Sequence, residues 1–332
     1  MIIVISNREV NEEYSNENLF GDRQNTKGLD KIRLAKANFD EAKNRWSLEL
    51  IPEEENLNES NLPSQKLFQE IVNGIAARIY KPNWVFYITG FNQSCRKSLD
   101  TSWQFAQKYD VDVITFSWLS NPGGPLIPEY EKAQKAAQAS AKALAQILEK
   151  LDWYMKNCLL DRTERRKVSF NLLVHSLGNF IVESYARLPV SSQVGSIFDN
   201  VIFHQADVES KTHTEWIDRI TIGQRLYVTI NRDDDVLSAS GSFRLVGFNN
   251  TTISNRLGNT TKGLTAAKPI YIDFTRGRFV GQAHNLFLSV DNSIIETFFK
   301  QLFRGKQGEK NNRPFRFDDE LNAYVFDQDY TD

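Results

Sequence analysis

Residues 168–180 read VSFNLLVHSLGNF: an apolar run leads into Ser176, and the residues after it can start a helix. A serine hydroxyl is a nucleophile only where a sharp turn exposes its oxygen and a base takes its proton. The elbow pattern typical of such serines is G-x-S-x-G, which Gly178 fits and Val174 does not. A serine that only caps the following helix is the alternative. The strand, turn and helix predicted here make Ser176 the candidate nucleophile.

Strand and helix candidates alternate on both sides of this stretch. Near-continuous apolar runs are typical of strands that are buried on both faces. Alternating strands and helices predict an α/β class, with a mostly parallel central sheet and helices on both faces. The predicted strands are 84–88, 111–117, 168–174, 200–204, 225–231 and 269–272, and the predicted helices are 98–108, 130–157, 177–187, 214–223 and 293–303.

The chain ends differ in pattern from its middle. Residues 1–52 predict short strands at 2–6 and 46–50 around a helix-compatible segment, 29–44, and residues 53–64 are rich in Glu and Asn, which is typical of an exposed loop. Residues 304–313 are polar, and 315–317 and 324–326 predict a hairpin. We therefore predict three parts. They are an N-terminal sheet extension with an acidic loop over 1–66, an α/β domain over 67–303, and a linker with a hairpin tail over 304–332.

Composition excludes several classes of function. The 332 residues include 40 Lys plus Arg and 42 Asp plus Glu. This balance does not indicate a basic surface, so we do not expect a nucleic-acid partner. Cys95 and Cys158 are far apart and form no C-x-x-C pair, which argues against a disulfide framework or a thiolate zinc site. The apolar run at the N-terminus is too short to span a membrane or direct export. We expect a soluble cytoplasmic protein.

Two further groups follow strand candidates in the order that a nucleophilic site needs. Asp234, within Asp233-Asp234-Asp235, comes 58 residues after Ser176, and His284 comes 50 residues after Asp234. Serine, then acid, then histidine is the chain order of α/β-hydrolase triads. His284 would accept the proton of Ser176, and a buried carboxylate would orient the imidazole.

The identity of the acid is open at this point. Asp233 and Asp235 are adjacent to Asp234 and stay alternatives, because the choice depends on register. Asp207, at the end of the preceding strand, is another possible partner of the histidine. Asp234 could also be only one of three solvated carboxylates, 233–235, at the end of a strand.

The other histidines have simpler explanations. His175 adjoins Ser176, so its side chain points away from the serine oxygen. His204 and His213 flank Asp207, but two histidines and one aspartate without a defined framework are weak evidence for a metal. We predict structural roles for all three, and neither a metal nor a cofactor.

Several local motifs follow one another in a specific order. Residues 87–92 read YITGFN, 113–118 read VITFSW, 174–179 read VHSLGN, and 231–237 read NRDDDVL. Together with SNR at 6–8, FG at 20–21 and RLG at 256–258, this order resembles a mostly bacterial branch of the α/β hydrolases whose function is unknown. The likeness extends over about residues 1–303.

The resemblance implies further site residues. The oxyanion hole of such enzymes uses a backbone N–H after the nucleophile and one from an earlier loop, which implies the amides of Leu177 and Phe91. It also implies that Asp234 is the acid. The chain departs from the family pattern at Thr89, where histidine is usual, and at Val174, where a small residue is usual; Leu119 and Asn285 are further departures.

These residues predict a serine hydrolase that forms an acyl-enzyme on an ester-type bond. A small carboxylic ester is the first expectation, and lipid, thioester and peptide substrates stay open. Two rivals remain: an acyltransferase with the same triad, and a silent scaffold, which Thr89 and Val174 favour. The N-terminal extension and the C-terminal tail are the surfaces on which a protein partner is expected.

Overall fold

The computed structural model describes residues 1–52, 62–157, 168–247, 255–310 and 314–326, with the side chains of 243–247 left aside. The chain divides into two compact units, Met1–Phe170 and Asn171–Asp332. Most of the exposed loop expected at 53–64 lies outside the described residues, as do Cys158 and the last residues of the expected linker, 311–313. The domain boundaries given above stay predictions.

The first unit contains a sheet in the strand order β6-β7-β1-β4-β5 and a separate ribbon of β2 and β3. Strands β6, β7 and β1 are parallel, whereas β4 and β5 are antiparallel to their neighbours. The strands are β1 (Ile2–Ser6), β2 (Arg8–Val10), β3 (Phe20–Gln24), β4 (Arg33–Asp40), β5 (Arg45–Leu50), β6 (Asn83–Ile88) and β7 (Asp112–Ser117).

Three helices belong to this unit: α1 (Pro63–Ala76), α2 (Cys95–Tyr109) and α3 (Leu126–Asn157). Helix α2 begins after Ser94, whose side chain accepts a hydrogen bond from the Lys97 N–H, and ends at Asp110 in a left-handed conformation. Helix α3 buries an alanine-rich face that includes Ala137 and Leu144, as its spacing of apolar residues predicts.

The helix expected over 29–44 is wrong, because this segment forms strand β4. Ala35 and Ala37 are buried and alternate with the more exposed Lys36 and Asn38, which is the period of a strand. Ala37 pairs with Ile2 of β1. Pairing on both sides of the strand therefore overrides the helix propensity of its alanines.

The second unit contains the strand order β12-β13-β11-β10-β9-β8, and all pairs except β12–β13 are parallel. The strands are β8 (Ser169–His175), β9 (Phe198–His204), β10 (Gly223–Ile230), β11 (Pro269–Asp273), β12 (Phe315–Asp318) and β13 (Ala323–Phe326). The helices are α4 (Gly178–Ala186), α5 (Thr214–Ile217), α6 (Asp235–Gly247), α7 (Leu286–Ser289) and α8 (Ser293–Phe303).

Three helices of the second unit differ from expectation; one of them is the short helix α7, which was not predicted. The helix expected over 214–223 is confined to the four residues of α5, because Gly223 already begins strand β10. Helix α6 was not predicted. It begins at Asp235, the last of the three consecutive aspartates, and its sequence has no clear apolar periodicity. None of the described helices has an apolar stretch of the length needed to cross a membrane.

The C-terminal strands β12 and β13 form an antiparallel hairpin where the sequence predicts one, and β13 also pairs in parallel with β11. Phe315 packs against Phe274 and Phe298 in an aromatic cluster. Residues 304–310, which the sequence indicates as a polar linker, also pack on the unit. Glu309 is buried there, and its carboxylate accepts a hydrogen bond from the Tyr227 hydroxyl.

Candidate active site

Ser176, His284 and Asp234 form a continuous chain of hydrogen bonds in the second unit. The Ser176 hydroxyl donates to His284 Nε2 over 2.9 Å. His284 Nδ1 donates to Asp234 Oδ2 over 2.7 Å. Because the carboxylate can only accept, Nδ1 carries the proton and Nε2 is left with a lone pair that faces the serine. This is the tautomer that a general base requires.

Ser176 lies at a sharp turn between β8 and α4 and has a φ of +52°, which is rare for a residue with a side chain. The turn is held through the Ser176 backbone. Its N–H donates to the His204 carbonyl, and its carbonyl accepts from the N–H groups of Asn179 and Asp207. The Asn179 side chain also donates to the Ser176 carbonyl over 2.9 Å. The backbone strain is thus maintained by surrounding bonds, as is common at functional sites.

Asp234 lies between β10 and α6 and is fully buried. Its Oδ1 accepts from the Leu237 N–H over 3.0 Å, at the first turn of α6. Its Oδ2 accepts from His284 and from Gln205 Nε2. Three donors therefore hold this buried carboxylate in one orientation.

Residues 69–266, more than half of the chain, match the family described as alpha/beta hydrolase of unknown function (DUF900). The chain belongs to this family. The match confirms both the resemblance noted in the sequence and the predicted α/β fold. No curated protein and no solved structure gives a significant match.

The matched range includes Ser176 and Asp234, whereas His284 lies beyond it. Family membership alone therefore does not assign a base in this hydrolase-like fold. The hydrogen bonds of His284 to both other residues are the observation that brings it into the site.

The two amides expected to form an oxyanion hole lie in different units. Leu177 directly precedes α4, so its N–H is one of those that no carbonyl of the helix can satisfy. Phe91 lies in the loop after β6. Their joint role stays a prediction.

The loop that carries Phe91 is held by residues of the first unit. The N–H of Asn92 donates to the Ser120 carbonyl, and the N–H of Gln93 donates to the Ser120 hydroxyl. The guanidinium of the buried Arg8 donates to the Gln93 carbonyl. Thr89 is also fully buried, and its hydroxyl has no hydrogen-bond partner among the described residues.

Asp207, the alternative acid, has a different partner. Its carboxylate pairs with Arg256 Nε over 3.1 Å and accepts a hydrogen bond from the Ser240 hydroxyl. Both charged side chains are almost completely buried. Asp233 and Asp235 are exposed on either side of Asp234. Among these four aspartates, the structure brings Asp234 to His284.

Each of the remaining histidines makes hydrogen bonds to groups of its own unit. His175 Nε2 donates to the His284 carbonyl over 2.8 Å. His204 Nδ1 lies 2.7 Å from the Thr229 hydroxyl, and His213 lies between the Ser210 carbonyl and the Tyr271 hydroxyl. No group of three or more possible metal ligands is found in the described part of the chain.

His175 predicts a pH dependence of stability. Burial, followed by the proximity of His284, lowers the pKa of His175 from 6.5 to about 3. The unfolded chain therefore binds the proton more readily, and stability is lost as the pH falls below about 6.5. We expect His175→Gln, which keeps a donor but does not titrate, to reduce the loss in unfolding free energy between pH 7 and pH 5 by about 2 kcal/mol.

Denaturant titrations of both proteins at the two pH values measure this difference. His204 provides the background, because burial lowers its pKa in both proteins. An equal loss in wild type and His175→Gln would show that His175 is not a source of the acid sensitivity.

Three residues of the site were not found from the sequence. Gln205 and Asn231 donate side-chain hydrogen bonds to the segment that carries His284. Arg256 leads a segment in which Gly258 packs so closely on Ala206 that a Cβ would lie 2.3 Å from the Ala206 nitrogen. The family resemblance drew attention to this segment through its RLG motif. The contact between Arg256 and Asp207 could not be predicted from the sequence.

Proposed function

We propose that the protein is a serine hydrolase that cleaves an ester-type bond through an acyl-enzyme. The observation that carries the proposal is the pair of hydrogen bonds on opposite sides of the His284 ring, 2.9 Å to the Ser176 hydroxyl and 2.7 Å to Asp234. This arrangement couples a nucleophile, a base and an orienting carboxylate.

In the first step, Ser176 Oγ forms a bond to the carbonyl carbon of the ester while its proton passes to His284 Nε2. The imidazolium that results is stabilised by the buried carboxylate of Asp234. The C–O bond of the ester then breaks, and the alcohol leaves with the proton from His284. The acyl group remains on Ser176.

In the second step, water attacks the acyl carbon and gives a proton to the same nitrogen of His284. Ser176 Oγ leaves with that proton, and the carboxylic acid is released. The side chain of His284 is 18% exposed, so water and an acyl group can approach this edge of the triad. The negative charge on the reacting oxygen is assigned to the N–H of Leu177, the residue after the nucleophile.

The substrate is proposed as a carboxylic ester, with lipid esters and thioesters in the same reaction class. All three present a carbonyl carbon with a leaving group that one proton from His284 can neutralise.

Covalent labelling tests the proposal. We expect a fluorophosphonate probe to add one phosphonyl group to wild type and none to Ser176→Ala, because only an activated serine displaces fluoride from phosphorus at a useful rate. Ser191→Ala, which removes another buried serine of the same unit, is the matched control and should be labelled normally. Intact-mass measurement and peptide mapping locate the adduct.

A folded wild-type protein that stays unlabelled would reject the hydrolase and favour the scaffold. The observation that favours the scaffold is the buried Thr89 hydroxyl, which has no hydrogen-bond partner among the described residues. If labelling occurs, product analysis of ester turnover with and without added alcohols distinguishes hydrolysis from acyl transfer.

A further inference from the structure

His284 lies on a segment that regular secondary structure does not hold. The residues between β11 and α7, 274–285, form turns and bends, and Phe279 and Gly281 have positive φ. A base must nevertheless stay within hydrogen-bond reach of its nucleophile. Other groups must therefore fix the position of this segment.

Gln205 connects this segment to the acid of the triad. Its Nε2 donates to Asp234 Oδ2 over 2.6 Å and to the Ala283 carbonyl over 2.7 Å. Its Oε1 accepts from the Leu286 N–H over 3.1 Å. One buried amide thus contacts the carboxylate and the chain on both sides of His284.

The backbone of Gln205 is itself unusual. Gln205 directly follows strand β9 and has a φ of +40°, a conformation that is costly for a residue with a side chain. Its N–H donates to the Thr229 carbonyl. The strained backbone directs the amide toward the triad instead of continuing the strand.

We propose that Gln205 is a positioning residue of the active site, which fixes the Asp234 carboxylate and the His284 segment relative to each other. This inference rests on the proposed function for its catalytic consequence. A hydrogen bond donated to a carboxylate stabilises its charge and fixes its orientation. Gln205 thereby keeps Oδ2 directed at the imidazole.

Asn231 provides a matched comparison. Its Nδ2 donates to the carbonyls of Gly281 and Ala283, each over 2.9 Å, and its Oδ1 accepts from the Asp233 N–H. It therefore holds the same segment, but no described contact of its side chain reaches the Asp234 carboxylate. Loss of either amide removes hydrogen bonds to the segment, whereas only loss of Gln205 removes a donor to the Asp234 carboxylate.

The kinetic test compares Gln205→Met with Asn231→Leu. We expect Gln205→Met to lower kcat by about 10²-fold with little change in KM, because the base is displaced while substrate contacts are kept. The acidic limb of its kcat/KM profile should also move to higher pH, because Asp234 loses a donor and holds the imidazolium more strongly. Asn231→Leu should lower kcat without moving this limb.

Other titratable groups near His284 do not interfere with this limb. His175 and His204 face the same region, with ring centroids 5.5 Å apart, and burial lowers the pKa of both. They are neutral over the pH range in which the limb is measured.

Gln205→Glu is the second variant, and it covers the case in which Gln205→Met does not fold. It keeps an acceptor for the Leu286 N–H but places a second carboxylic acid against Asp234. Two carboxylates in one buried site cannot both ionise easily, so activity should fall as the pH rises, with a new alkaline limb. A profile identical in shape to that of wild type would overturn the proposal.

A readout without turnover separates this inference from the proposed function. The proton between His284 Nδ1 and Asp234 should give a far-downfield ¹H NMR signal that His284→Ala removes. We expect Gln205→Met to shift or broaden this signal and Asn231→Leu to leave its position nearly unchanged. If the signal responds in this way but no substrate or probe reacts, the positioning role holds and the hydrolase fails. Equal responses to both substitutions, or a Gln205→Met enzyme with wild-type kcat and pH profile, would reject the positioning role.

Discussion

Asp234→Asn is expected to lower kcat by about 10⁴-fold in a protein that still folds. Asp234 accepts hydrogen bonds from three donors, which are His284 Nδ1, Gln205 Nε2 and the Leu237 N–H. An asparagine offers one acceptor oxygen and one NH₂ group at the same place, so in either orientation a donor faces a donor. If the NH₂ group faces His284, the imidazole must move its proton to Nε2. That nitrogen can then no longer accept the proton of Ser176.

Steady-state kinetics on an activated ester measure the effect, and the urea midpoint shows that the variant is folded. Asp233→Asn and Asp235→Asn are the controls, because both flanking carboxylates are exposed; each should retain kcat within about twofold of wild type. An Asp234→Asn enzyme that retains a tenth of the wild-type kcat would contradict Asp234 as the orienting acid.

The order of chemical groups along the chain was readable from the sequence, because parallel strands end at one edge of a sheet and place distant residues together there. This is why Ser176, His284 and a group of aspartates could be placed together before their distances were known, with Asp234 indicated among them by the family resemblance. The choice among neighbouring aspartates could not be made from spacing alone. It depends on which carboxylate faces inward at the start of α6, and a shift of one residue would change that.

The contacts of the buried polar residues around this site were not predictable in the same way. Gln205, Asn231 and Arg256 act through hydrogen bonds to carbonyls and side chains far away in sequence, and polar residues of these types are common in loops. Their roles follow from burial, since a buried amide or guanidinium must find partners. Burial of a loop residue is decided by tertiary packing, which periodicity does not report.

The incorrect secondary-structure predictions also result from tertiary contacts that the sequence pattern does not show. Strand β4 contains helix-forming residues, but it lies between β1 and β5 and pairs with both. Helix α1 was not predicted, because the Glu- and Asn-rich segment before it was interpreted as a loop that continues to residue 64. Its apolar residues Leu67 and Ile71 are buried. In both places the decisive contacts are long-range ones.

Arg256→Met is expected to reduce the free energy of unfolding by about 3–5 kcal/mol. Arg256 is 1% exposed and Asp207 is 3% exposed, so both charges of this ion pair are removed from water. The guanidinium also donates to the Ser240 carbonyl over 2.9 Å. Methionine fills a similar volume but leaves the Asp207 carboxylate buried without its counter-charge. The desolvation cost of that carboxylate, more than the loss of one contact, sets the size of the effect.

The double variant Asp207→Leu/Arg256→Met separates these two contributions. Because it removes both charges together, it should be more stable than Arg256→Met alone. Lys43→Met is the exposed control, since Lys43 pairs with Asp40 at the surface, and its loss should be less than about 1 kcal/mol. Urea unfolding of the four proteins measures the differences. If the double variant is less stable than Arg256→Met, the buried charge is not the cause, and the Arg256 side chain stabilises the fold through its packing and its bonds to Ser240 instead.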